Sequence, residues 1–131
     1  MAKKQKTLGK LKQEVQAVVN AYIRKRDEGK PCISCGQYNT LQAGHFFAVG
    51  GYDGIRFIED NIHGECARCN CWDESHLIKY RDNLLDRIGQ ERLDILYTAA
   101  ANYKQYGYKF TRSELMEIKK KYQTKLNELQ P

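Results

Sequence analysis

Apolar residues recur at helical spacing near both ends of this chain and lose that spacing in the middle. Leu8, Leu11, Val15, Val18, Val19, Tyr22 and Ile23 fall on one face of a 3.6-residue repeat. Gly29 and Pro31 then break the pattern. The predicted element is a helix over 8–28, preceded by a basic arm over 1–7. Helical spacing resumes beyond residue 76. Leu77, Tyr80, Leu84 and Ile88 make one stripe up to Gly89, and Leu93, Leu96, Ala100 and Tyr103 make another. The aromatic stretch 102–110, interrupted by Gly107, reads as a turn folded against the core. Thr111 with Glu114 has the form of a capping box. It opens a last helix with Leu115, Ile118, Tyr122, Leu126 and Leu129 on one side.

The middle, 31–76, has a different grammar. Leu41, His45, Phe46, Phe47 and Val49 are followed by Gly50, Gly51, Tyr52, Asp53 and Gly54, then by Ile55, Phe57 and Ile58. Two short strands joined by a glycine-rich hairpin loop are predicted. All five cysteines lie in this segment, as Cys32-x-x-Cys35, Cys66-x-x-Cys69 and then Cys71. A two-residue gap lets both thiolates of a pair turn onto one ion about 2.3 Å away, and two such pairs complete a tetrahedral structural zinc site. An odd number of cysteines and no secretory signal ahead of them argue against a disulfide framework. A helix starting near Cys66 would supply the last two ligands. Knuckle, hairpin and helix together make a treble clef, or ββα-metal unit. The expected fold is α+β and mostly helical, a single domain over 1–131 with a zinc-bound core over 31–76 and a helical part over 77–131.

A chain of 131 residues, 41% hydrophobic and 29% charged, suits one small core that leans on a metal staple. Twenty-two Lys and Arg against sixteen Asp and Glu give +6 and a pI near 9.1, a balance that favours a polyanionic partner. Lys3, Lys4, Lys6 and Lys10 of the arm region, with Arg56 and Arg68, are the candidate phosphate contacts. Lys119, Lys120 and Lys121 read as a solvated helix face. No apolar run approaches the roughly 20 residues of a membrane span, and thiols kept free for metal fit a reducing cytosol.

Three polar residues remain near the cysteines once the scaffold is subtracted. His45 sits in the predicted first strand, Asn61 lies five residues before Cys66, and Asn70 directly follows Cys69. A neutral histidine can take a proton from water, its ordinary pKa being about 6.5. An asparagine oxygen suits a hard ion such as Mg²⁺. A His in the first strand, an Asn before the last CxxC and an Asn directly after it resemble the HNH, or His-Me finger, nucleases. The resemblance extends over most of the chain to the lambdoid phage NinG (Rap) family of recombination proteins. It rests on Tyr22-Ile23-Arg24, Pro31 to Gly36, Ala43-Gly44-His45, Arg56-Phe57, Asp60 to His63, Cys66 to Asn70, Tyr80-Arg81 and the ending from Tyr108 to Leu129.

That resemblance implies a phage-encoded endonuclease acting in the bacterial host cytoplasm. It would cleave branched DNA such as Holliday junctions and D-loops, alongside phage recombination proteins. His45 would be the general base, Asn61 would hold the hairpin backbone, and Asn70 would help bind a catalytic Mg²⁺ or Mn²⁺. Symmetric cutting of a junction would call for a homodimer. Gly44 departs from the nuclease pattern, which places an acidic ligand directly before the histidine. His63 is the first candidate to complete the metal shell, with Asp60, Asp73, Glu74 and His76 behind it. Cys71 is expected to be a buried spare thiol and Trp72 a core residue. The competing reading is a non-catalytic zinc module that binds DNA or a recombination protein. His45, Asn61 and Asn70 together favour the nuclease, because a binding module needs no base facing a metal ligand.

Overall fold

The computed structural model describes residues 5–73 and 75–130. Its elements are α1 (Leu8–Arg26), β1 (Leu41–His45), β2 (Ile62–Cys66), α2 (His76–Ile88), α3 (Gln90–Tyr106) and α4 (Arg112–Leu129). Short 3-10 turns, Asp53–Ile55 and Glu59–Asn61, precede β2, and a π-helical turn, Arg68–Trp72, follows it. Among the described residues the fold is mostly helical, with one two-stranded sheet. No described helix is long and apolar enough to cross a membrane.

The helix starts follow local chemistry. Thr7 accepts the Lys10 N–H at the head of α1. At α4 both halves of the Thr111–Glu114 capping box are formed. Most of the predicted stripe residues enter the core, while Leu8, Leu77 and Leu129 are exposed. Leu11, Val15, Val19, Tyr22 and Ile23 of α1 pack with Leu115 and Tyr122 of α4, over Phe57 and Ile62. The two helices run parallel: Arg112 Nη2 donates to the Lys6 carbonyl at 2.7 Å, and the Tyr22 and Tyr122 rings lie 5.4 Å apart. The α1 stripe therefore rests chiefly on α4. A second cluster joins Ile33 and Phe46 to Tyr80, Leu84 and Ile88 of α2 and Leu93 and Leu96 of α3. The sheet is shared between the clusters. Ala43 packs on the first, while Tyr80 of the second donates its hydroxyl to the Gly44 carbonyl at 2.6 Å.

Two predicted elements are corrected. β1 pairs antiparallel with 62–66, Leu41 opposite Cys66 and His45 opposite Ile62, and not with a strand near Ile55–Ile58. Ile55 and Phe57 are buried anchors on a chain of tight turns. All five residues of β2 are buried, on both faces, so the segment lacks the alternation that marks a half-exposed strand. Likewise the stretch 102–110 is not one turn: α3 continues to Tyr106, and only from Gly107, at φ 70°, does the chain leave the helix.

One buried carboxylate ties these parts together. Asp27, fully buried at the C-terminal end of α1, accepts from Arg26 at 2.8 and 3.0 Å and from the Gly64 N–H at 2.8 Å. Arg26 also donates to the Ile62 carbonyl at 2.9 Å. Burial works against the Asp27 charge, but the bonds from Arg26 and Gly64 outweigh it and hold the carboxyl below its ordinary range. Asp27→Ala leaves a guanidinium and a strand N–H without their acceptor. The expected loss in urea unfolding is about 3 kcal/mol, and a loss under about 1 kcal/mol would show the clamp to be dispensable.

Candidate metal centre and its polar flank

Cys32 and Cys35 sit in the turn before β1, Cys66 is the last residue of β2, and Cys69 lies in the π-helical turn. Cys66 thus comes from a strand and not from the first turn of a helix. The four sulfurs all lie within 4.8 Å of one another, with Cys35 Sγ and Cys66 Sγ 3.9 Å apart. A tetrahedron of zinc–sulfur bonds of about 2.3 Å has an edge of about 3.8 Å. The set is almost wholly buried and could hold a metal ion such as zinc. Cys32 Sγ already accepts the Cys35 and Cys66 N–H groups at 3.5 and 3.3 Å. Burial opposes its thiolate, but these donors outweigh burial and lower its pKa. Burial and the neighbouring cysteines push the Cys69 thiol the other way, so a full set of thiolates needs a cation among them. Among the described residues this is the only group of three or more His, Cys, Asp or Glu ligands gathered within reach of one ion.

His45 stands at the other end of β1, opposite Ile62, four residues along from the Leu41 that pairs with Cys66. Its Nε2 lies 2.9 Å from the Arg56 carbonyl oxygen. A carbonyl only accepts, so the neutral ring carries its proton on Nε2 and its lone pair on Nδ1. Burial lowers the His45 pKa below 6.5, the bond to Arg56 offsetting only part of that. Arg56 is itself fixed, donating to Gln16 at 2.9 Å and to Asp53 at 3.0 Å. Asn61, fully buried, grips the chain just after His45. Its Oδ1 accepts the Phe47 N–H at 2.8 Å and its Nδ2 donates to the Phe47 carbonyl at 3.1 Å.

Asn70 reaches β1 from the π-helical turn. Its Nδ2 donates to Gln42 Oε1 at 2.8 Å, and its Oδ1 faces Gly44, 3.2 Å from where a side chain there would begin. His45 and Asn70 thus meet the same strand but make no hydrogen bond to each other. The space at Gly44 belongs to Glu65. A Cβ on Gly44 would run into Glu65 Oε1 and lie 2.9 Å from its Cβ. Glu65 is fully buried; its Oε2 is bonded to the Ser34 hydroxyl and lies 2.6 Å from His76 Nδ1, while Oε1 has no partner among the described residues. Nothing in the sequence pattern singled out Glu65. The available signal was a glycine where an acid was expected, two residues from a position paired with Glu65 across the sheet.

The remaining candidates are dispersed. His63 is buried, its Nδ1 3.4 Å from the Tyr80 hydroxyl, and burial with the Arg26 charge lowers its pKa to about 3. Asp60 pairs with Arg92, and Asp73 accepts from Ser75. Cys71, expected to be buried, is exposed, and Trp72, expected in the core, is 80% exposed. Both follow from the π-helical turn, which directs Cys69 inward and Asn70 onto β1 but turns Cys71 and Trp72 out. Lys6, Lys10 and Arg68 are exposed, Lys6 lying 2.8 Å from Glu14. Arg56 keeps only 12% of its side chain exposed. Lys3, Lys4 and Glu74 fall outside the described residues.

A family model described as "Bacteriophage Lambda NinG protein" matches residues 1–131. Curated relatives named "Protein ninG" include those of Escherichia phage 933W, 41% identical over 118 residues, Escherichia phage lambda, 40%, and Salmonella phage P22, 38%. Each alignment covers 88% of this chain, and 55–56% of the relative. The chain therefore spans a little over half the length of the curated relatives it matches. No solved structure matches.

The geometry separates two cysteines that are neighbours in sequence. Cys69→Ser is expected to lose bound metal and most of its thermal stability, because a structural ion contributes folding free energy outright. Cys71→Ser is expected to keep both. Metal analysis and melting decide it, and equal behaviour of the two variants would contradict the four-cysteine set.

Proposed function

The chain belongs to the bacteriophage NinG family, and from that premise we propose that it is a zinc-held treble-clef endonuclease of the HNH, His-Me finger type. Its substrate is branched DNA, such as a Holliday junction or D-loop, and its setting is phage recombination in the host cell. The observation that carries this reading is the state of His45. Its ring is anchored through Nε2 on the Arg56 carbonyl, which leaves Nδ1 free to accept a proton. Burial keeps it unprotonated at neutral pH.

Asn61 supports this as a positioning residue, because its two bonds to Phe47 set the chain just after His45. Asn70 offers an amide oxygen to a hard divalent ion such as Mg²⁺ or Mn²⁺. Such an ion would bind the scissile phosphate and steady the charge on the leaving 3′ oxygen. His45 would then take the proton of the attacking water. The cysteine-held ion plays no chemical part, since four sulfurs close its shell. Exposed Lys6, Lys10 and Arg68, with the lysines ahead of them, would contribute phosphate contacts, while Arg56 acts through the loop it holds. A homodimer would supply two cuts.

Gly44 favours one rival, a module that binds DNA without cutting it. Purified protein incubated with a labelled four-way junction, with and without Mg²⁺ or Mn²⁺, separates the two. Metal-dependent cleavage is expected, falling about a hundredfold or more in His45→Ala while melting and junction binding stay near parental. Because the His45 pKa lies below 6.5, the base form persists as pH falls, and the acid limb of the rate profile is expected below pH 6.5. A His45→Ala protein that folds, binds and cuts at the parental rate ends the assignment.

A further inference from the structure

A fully buried carboxylate oxygen without a hydrogen bond is costly, because the group has lost water and gained nothing. Glu65 Oε1 is such an atom. Its partner oxygen is fully engaged by Ser34 and His76, so the side chain is locked and Oε1 points one way only. Among the described residues no lysine or arginine pairs with it; its only ion-pair contact is His76. Another acceptor lies near the same place. Oε1 and Asn70 Oδ1 both lie within 3.2 Å of one point, the place where a Cβ on Gly44 would sit. The Asn70 amide nitrogen is turned away, onto Gln42. Among the described residues no donor bonds Oε1, and two acceptors brought near one point repel each other unless something positive joins them.

We propose that Glu65 and Asn70 together bind a hard divalent cation beside Gly44, with Glu65 supplying from β2 the acidic ligand that β1 lacks. Gly44 is then explained as well. A side chain there would expel the Glu65 carboxylate, and its absence admits a carboxylate from the opposite strand to the same spot. Mg²⁺ and Mn²⁺ suit a site with one carboxylate and one amide oxygen, because such ions keep several waters and take substrate phosphate oxygens for the rest of the shell. Asn70 is only half-buried, so the ion reaches the site from that side. Ser34 and His76 act as positioning residues on the far oxygen, as partners of a ligating carboxylate commonly do. The proposal deepens the nuclease reading, and rests on it for the use of the ion though not for its binding.

The test reads binding directly. Zinc-loaded protein is titrated with Mn²⁺ and free Mn²⁺ is followed by electron paramagnetic resonance, with metal content and melting measured alongside. The parent is expected to bind one Mn²⁺ that Mg²⁺ displaces. Glu65→Gln keeps the shape but removes the charge, and is expected to weaken binding tenfold or more with zinc content unchanged. Asn70→Ala, at a position less central to the core, is expected to do the same, and decides the matter if Glu65→Gln fails to fold. A parent that binds no Mn²⁺ beyond its zinc, or two folded variants that bind like the parent, overturns the site. Mn²⁺ binding lost in the variants while no junction is ever cut leaves the site standing and ends the nuclease. His45-dependent cleavage with parental Mn²⁺ binding in both variants does the reverse.

Discussion

The four-sulfur cluster is the constraint on which the other structure depends. With an ion among its sulfurs, the cluster would tie the turn before β1 to the last residue of β2 and the turn beyond, leaving the two strands one way to lie. With Leu41 opposite Cys66, Gln42 must face Glu65 and Gly44 must face His63. A slip of one residue would turn every side chain of β2 to the other face. The energies agree with this priority. A structural zinc contributes about 10–16 kcal/mol to folding in small modules, as much as the whole margin of a typical domain, about 5–15 kcal/mol. Strands held that firmly by an ion would let the chain tolerate buried polar groups beside its modest apolar clusters.

Two buried carboxylates show how differently that tolerance is used. Asp27 sits between Arg26 and the Gly64 N–H, with both oxygens bonded. It is a joint between α1 and β2 and needs no further partner. Glu65, on the same strand as Gly64, is bonded through one oxygen and bare at the other. The first has every oxygen answered within the fold; the second has one oxygen unanswered among the described residues. The distinction comes from counting partners and not from burial, which is complete for both.

Much of this was legible in residue order, and the reasons for the rest are physical. The helices declared themselves through period and caps, as at Thr111 and Glu114. The cysteine spacing pointed to the cluster, because two-residue gaps have a geometric meaning independent of the fold. β2 was hidden because burial on both faces erases alternation, while Ile55 and Phe57 mimicked a strand though they only anchor turns. Trp72 misled for a related cause: a π-helical turn shifts the facing of residues by about a residue relative to an ordinary helix. Glu65 could not be found from spacing at all, since its meaning lies in what Gly44 lacks across the sheet.

The parallel course of α1 and α4 carries an electrostatic consequence. Backbone dipoles in a helix sum to about half a positive charge at the N-terminus and half a negative one at the C-terminus. Antiparallel neighbours cancel these poles; here like poles lie together, as the contact of Arg112 with the Lys6 carbonyl fixes. The repulsion is small at a solvated surface, and burial of Leu11, Val15, Val19, Leu115 and Tyr122 outweighs it. Glu14, bonded to Lys6 and 3.7 Å from Lys119, and Glu114 within the capping box add negative charge near the crowded end. Even so, the backbone itself gives that end of the molecule a positive bias that no count of side-chain charges contains.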